Sequence, residues 1–457
     1  MNNTIHVEKQ QAAIHLHSRI DSFFDNFTIG TLLNRAGIRK MRGVSPTKLL
    51  KAIFSLRFEN TSFFHRFVVG KDSGYQKDAV YSLLRNPHYN WRRLLLLLAA
   101  KVVSVFELLT DDPQRKVLVI DDSTYERSHS RFVELLARVF DHNDQRYLKG
   151  FKMLTLGWTD GASFLPLDFA MLSSEKPGNR INDVSKALDK RSCGAIRRKE
   201  SISKSTSLLE PMVKRALASG IDASCILMDS WFAFPSIIES LHRHRPVICM
   251  LKDLPTLQYC HQNVFLRVGD IYRRVRKRPG KAAIKASVIV ELRSGLPVKI
   301  VFVRNRQKRG WLALLSTDLE LSPEEIVQTY GKRWDIEVFF KMAKHYLKLE
   351  KEMQMRDYDG LISHTTIVMI RYLFLSFEQR VHKDHRTFGS LFHACIEEMK
   401  DLSTLEALQR IMTLAVDKIR RSGEFAEDAI CKIVDAVMDI AIAMLNSNQH
   451  QEGISTA

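Results

Sequence analysis

The chain has 457 residues, 45% of them hydrophobic and 26% charged, so it can bury a core, and global disorder is excluded. Its 69 Lys+Arg against 51 Asp+Glu leave a net charge of +18, which points to a polyanion as partner and makes a membrane surface the weaker choice. The six cysteines form no C-x-x-C and no zinc spacing, and the longest apolar run, Leu94 to Ala100, is closed by Lys101, far short of the roughly twenty residues of a membrane span. A cytoplasmic protein is expected.

Residues 1–112 read as a helical N-terminal region. Ser45-Pro46 is a helix start, with Leu49, Leu50, Ile53 and Phe54 following at helical spacing. A second helix is predicted from Asn90 through Leu109. Between them, Ser73 to Asn86 is either a short recognition helix carrying Lys77 and Arg85 or a solvated helix face.

The pattern changes at Lys116. Val117 to Ile120 is a continuous apolar run, the mark of a strand buried on both faces, and it is predicted to stop at Asp121-Asp122. Phe151–Trp158 and Ser163–Phe169 flank Thr159-Asp160-Gly161-Ala162, a hairpin signal. Helices are predicted near Val184–Leu188 and Ser207–Leu217. Cys225 to Met228 is another buried strand, ending at Asp229, and Val247 to Leu251 one more. Strands that alternate with helices after an opening hairpin imply a mixed α/β sheet over 113–250.

Residues 251–311 carry 15 Lys+Arg against three acids, two thirds of the net charge of the chain. With strands expected at Ala286–Leu292 and Val298–Val303, this is a basic β-rich insertion, and Arg273, Arg274, Arg276, Lys277 and Arg278 are its candidate DNA contacts. The sheet is expected to resume over 312–365. Ser322-Pro323-Glu324-Glu325 is an acidic helix start, and 366–457 is predicted helical, with helices at Ser403–Ile419 and Glu427–Leu445 as candidates for dimerisation.

An aspartate follows each of two strands, and in α/β sheets ligands gather outside the carboxyl ends of strands, so Asp122 and Asp229 are expected in one crevice. On a continuous helix, Tyr330, Arg333, Glu337, Lys341 and Lys344 fall within about 80° of arc, with Ile336, Phe339, Met342 and Ala343 on the core side. A single carboxylate amid Tyr, Arg and Lys suits a metal held beside phosphates; i,i+4 pairing on an ordinary amphipathic helix is the alternative.

Tyr330, Arg333, Glu337 and Lys344 reproduce Y-x2-R-x3-E-x6-K. That signature resembles the "insertion sequence four" family of bacterial transposases, cut-and-paste enzymes with an RNase-H-like DDE domain. Ile120-Asp121-Asp122-Ser123-Thr124 and Met228-Asp229 look like the two aspartate motifs, and the basic segment lies where that family carries its β insertion. One departure is Trp231, where the family has a small residue; Phe234 keeps the following aromatic. The resemblance spans about 115–365.

What it implies is an RNase-H-like mixed sheet flanked by helices, with Asp122, Asp229 and Glu337 holding two Mg²⁺ or Mn²⁺ ions. Asp122 is taken over Asp121 by the family pattern, since alternation along a strand lets only one of them face the site. Arg333 and Lys344, with Lys341, would grip phosphates, Tyr330 would donate a hydrogen bond, and Trp311 would stack on an extruded base or serve as a core tryptophan. The implied partners are terminal inverted repeats and target DNA, bound by a homodimer in the bacterial nucleoid. An RNase-H-like nuclease without strand transfer, or a DNA-binding protein that has lost catalysis, are the competing expectations.

Overall fold

The computed structural model describes residues 19–40, 42–59, 63, 65–69, 77–109, 116–141, 145–184, 188–280, 282–305 and 310–381. The helices expected at Ser403–Ile419 and Glu427–Leu445 lie outside the described residues, as do Ser73 to Gln76.

Among the described residues, eleven strands form one sheet. β1 (Val117–Glu126) is central to its first half. It pairs antiparallel with β3 (Arg146–Thr159), which pairs antiparallel with both β4 (Phe164–Leu172) and the short β2 (Ala137–Asp141) along its other edge. On its far side β1 runs parallel to β5 (Cys225–Met228), and β5 runs parallel to β6 (Val247–Leu251). Three antiparallel strands and two parallel ones, with the first strand in the middle, make the RNase-H-like order. A parallel step needs a long crossover. α6 (Cys193–Ser201) and α7 (Leu209–Ala218) supply it before β5, and α8 (Pro235–His242) before β6. The apolar runs are strands because both faces are covered; every residue of β4 is buried.

β1 does not stop at Asp121-Asp122. It continues to Glu126 because β3 is long enough to pair with it, Asp121 opposite Thr155 and Glu126 opposite Gly150. Of the helix expected near Val184–Leu188, residues 181–184 and 188 are not helical, and 185–187 lie outside the described residues.

The basic segment is β-rich, as its sequence implies, yet its strands extend the same sheet. β11 (Trp311–Ser316) pairs with β6, then β10 (Pro297–Arg304), β9 (Ile284–Glu291), β7 (Tyr259–His261) and β8 (Val264–Leu266) follow. A short helix, α9 (Val268–Arg274), is inserted among them.

Of the N-terminal helices α1 (Arg19–Asn26), α2 (Ile29–Arg35), α3 (Pro46–Ser55), α4 (Lys77–Leu84) and α5 (Trp91–Leu108), α3 and α5 have the side-chain caps their sequences promise. Ser45 accepts from Lys48 N at 3.3 Å, and Asn90 from Arg93 N at 3.0 Å. They share one core with α12 (Tyr358–Val381), which runs unbroken past residue 365. By length and composition α12 could cross a membrane, but within this fold it is buried and serves as the central core helix. α4 turns Val80, Leu83 and Leu84 into that core and leaves Lys77 and Asp78 outside.

Candidate active site

The register of β1 and β5 builds the site. Ile120 lies beside Met228 in the parallel ladder, so the next residues, Asp121 and Asp229, are side by side and point to the same face. Asp122 alternates to the other face and meets Lys152 of β3 at 3.3 Å. In this structure Asp121, not the expected Asp122, is the aspartate on the Asp229 and Arg333 side, and Asp122 faces Lys152. The signal was in the sequence: Val117–Ile120 and Cys225–Met228 are apolar runs of equal length, and the equivalent residue after each is the first aspartate.

The third component comes from α10 (Pro323–Gly331) and α11 (Trp334–His345). Ser322 and Glu325 close a capping box at the start of α10. The stretch from Tyr330 to Lys344 is not one continuous helix. At Lys332 and Arg333 the backbone tightens to i→i+3 hydrogen bonds, Lys332 N to Thr329 O at 3.1 Å and Arg333 N to Tyr330 O at 3.0 Å. Such a turn advances about 120° per residue instead of 100° and separates Tyr330 from the residues of α11.

Arg333 is the hub. One guanidinium nitrogen donates to Asp121 Oδ2 at 2.8 Å and the other to Glu337 Oε1 at 2.5 Å, so the two carboxylates lie within about 8 Å of each other. Tyr330 is the near aromatic neighbour of that guanidinium, at 5.8 Å from ring centroid to Cζ. Its phenol oxygen is buried and has no hydrogen-bond partner among the described residues. Burial pushes the Tyr330 hydroxyl up, against the pull of Arg333 and with the nearby negative charges of Asp229 and Asp121. Burial also lifts Asp121 to about 7; Asp122 and Asp229 push the same way, while Arg333 and the hydrogen bond from Asp122 N oppose it. Burial disfavours the Arg333 charge, but Tyr330, Asp121 and Glu337 outweigh it and hold the guanidinium above its ordinary value.

The other expected residues fall at varying distances from this hub. Lys344 donates to the carbonyl of Thr124 on β1 and pairs with Glu350 at 3.1 Å, so its ammonium is engaged at the far end of the strand. Lys341 is exposed. Trp311 starts β11 and packs against Tyr272 at 4.9 Å and Phe302 at 5.2 Å, half-buried in the insertion. Its ring is used in packing there, as the core alternative has it.

Of the basic cluster, Arg273 and Arg274 end α9 and are not in a loop, because the helix begins at Val268 and buries Val268 and Ile271. Arg273 pairs with Asp270, Arg278 reaches Glu324 of α10 at 2.9 Å, and Lys277 lies 5.1 Å from the Tyr272 ring. Arg274 and Arg276 are exposed and form no ion pair among the described residues.

Among the described residues no three acidic, His or Cys side chains stand close enough to hold one ion. The donor set nevertheless fits a divalent cation. Asp121, Asp229 and Glu337 offer hard oxygen ligands of the kind Mg²⁺ takes, and Asp121 is a buried carboxyl whose proton affinity burial raises. Arg333 now supplies positive charge between two of the three.

The mixed sheet carries Asp121 within β1, Asp229 just after the neighbouring β5, and Glu337 on a following helix. A family model, "DDE superfamily endonuclease", matches residues 67–309, and the chain belongs to that family. The match takes in Asp121 and Asp229 and ends before Glu337. Endonucleases of this superfamily work with divalent metal ions. No curated protein matches the chain. Among solved structures, the C-terminal lobe of a budding yeast Argonaute is similar at 10% identity and a TM-score of 0.20, over 70% of this chain and 60% of that one. At that TM-score the likeness adds nothing to the fold that the strand order defines.

Proposed function

We propose that this endonuclease is a transposase of the insertion-sequence-four kind, which cuts DNA at the ends of its mobile element and joins the freed 3′ ends to a target. The observation that carries this reading is the hub of Arg333 between Asp121 and Glu337 within the Y-x2-R-x3-E-x6-K stretch. Asp121, Asp229 and Glu337 would hold two Mg²⁺ or Mn²⁺ ions. When bound, such ions activate a water or 3′-hydroxyl and stabilise the leaving oxygen.

The remaining work belongs to the protein. Arg333 can turn its fork from the carboxylates to a phosphate once they are otherwise neutralised, giving two charge-assisted hydrogen bonds. Tyr330 keeps an unspent hydroxyl to donate to the same phosphate. The apolar residues under the site, among them Ile336 and Phe339, fix α11 against the sheet and keep water from behind the carboxylates. The basic edge around α9 would track the DNA backbone. A homodimer would pair two inverted repeats in the nucleoid.

The test incubates the purified protein with Mg²⁺, a duplex bearing the inverted repeats that flank its reading frame, and a target plasmid. Joined products support transposition. Cleavage without joining makes the protein a nuclease alone, and neither product, with binding retained, overturns the enzymatic reading.

A further inference from the structure

A second site lies on the opposite face of the sheet. Asp121 pairs across β3 with Thr155, whereas Ile120, one residue earlier, pairs with Leu156, and Leu156 with Asp168 of β4. Successive residues alternate faces, so Asp168 looks away from the carboxylate site. Over it, where α2 ends and α5, α6 and α7 converge, is a cleft of about 570 Å³.

Five arginines line the cleft, with Asp168 and Glu200 the only acids among its lining residues. Its floor is locked. Arg92 donates to Asp168 at 2.7 Å and also to Glu200, Arg215 donates to Asp168 at 2.9 and 2.7 Å, and Arg197 is held by Asp359. Its mouth is not locked. Arg35 and Arg93 are exposed and pair with no carboxylate among the described residues, and the half-exposed Arg215 stands beside them. The wall between is apolar, formed by Leu96, Leu97 and Ile196.

The volume is in the range of small-ligand pockets, larger than a bare phosphate needs, and the cleft joins surplus positive charge to an apolar wall. We propose that this cleft binds a nucleotide, with its phosphate on Arg35, Arg93 and the outer edge of Arg215 and its base along Leu96, Leu97 and Ile196. The nucleotide is either free or the end of a DNA strand. The proposal is independent of the transposase reading, since none of these residues touches the carboxylates.

Titration calorimetry of the full chain in metal-free buffer tests it, with ADP as one probe and a short 5′-phosphorylated oligothymidylate as the other. The Arg35→Gln/Arg93→Gln variant should lose at least about tenfold in affinity, the loss expected for charged hydrogen bonds. Ile196→Trp, which fills the wall from an exposed position, should lose as much. A loss for ADP identifies a free nucleotide as the ligand, and a loss confined to the oligothymidylate identifies a strand end. Unchanged affinity for both probes in both cleft variants, or no binding of either probe to wild type, overturns the proposal. Both substitutions are at the surface, so melting curves should overlay.

Discussion

At the scale of single residues, Asp121 and Asp122 are one bond apart in sequence and on opposite faces of a strand. Asp121→Asn should lower cleavage by roughly 10³-fold or more, because it removes a carboxylate worth several kcal/mol of charge stabilisation. Asp122→Asn should keep most of the activity, since its contact is the exchangeable ion pair with Lys152. Equal losses in a single-turnover assay of both variants would refute the division of roles. Glu337→Gln belongs with Asp121→Asn: cleavage and joining should vanish while DNA affinity stays near wild type, as read by gel shift. Cleavage by that variant in Mg²⁺ would exclude Glu337 as a metal ligand. Choosing between the neighbouring aspartates required register, and register becomes visible only when the two apolar runs are laid side by side.

At the scale of elements, the basic segment and the hairpin make separate predictions. Neutralising Arg273, Arg274, Arg276, Lys277 and Arg278 together should weaken binding to DNA of any sequence. It should flatten the slope of log affinity against log salt by about 0.9 for each phosphate left without its cation. Parallel titration lines of equal height for wild type and variant would remove this cluster from the DNA interface. Stability should change little, because the one pair reaching another element, Arg278 with Glu324, is exposed on both sides. Gly150→Ala is the opposite case. An added Cβ would stand 2.1 Å from the carbonyl oxygen of Tyr125, where β3 passes between β1 and β2. Denaturant unfolding should register a loss of about 1–3 kcal/mol. The buried strands and the capped helices were legible because their apolar runs and caps are local signals. α6 was not, for a physical reason: the face it buries carries Arg197 and Arg198, neutralised by Asp359 and Glu134 from distant parts of the chain, so its sequence reads as solvated. The far half of β1 was missed in the same way, being polar in sequence and held by its partner strand.

At the scale of the whole molecule, α12 meets β4 through Tyr358, which donates to the Met171 carbonyl at 2.6 Å, and meets the N-terminal helix α3 through a buried cluster of Glu352, His364 and Arg371. Burial works against the Glu352 charge, yet Arg371 and the hydrogen bond from His364 hold it down to about 2. Burial keeps His364 below its ordinary value, with Glu352 opposing. Both shifts act in one direction. The unfolded chain takes up the histidine proton first as pH falls below about 6.5, and the glutamate proton from about 4.5 towards 2, so stability is lost progressively on acidification. The urea midpoint should therefore fall between pH 7 and pH 3, and a midpoint that rises would contradict the assignment. The same cluster sets an order of events in synthesis. Arg371 donates to the carbonyl oxygens of Phe54 and Ile53, 317 and 318 residues earlier, at the end of α3, and the Phe374 ring packs against Phe54 and Phe58. A ribosome adding roughly 5–20 residues per second needs about 15–60 s to cover that interval. For that time the nascent N-terminal helices expose a phenylalanine-rich face with no native cover. Any message cut short before residue 371 yields a chaperone client, not a smaller working enzyme.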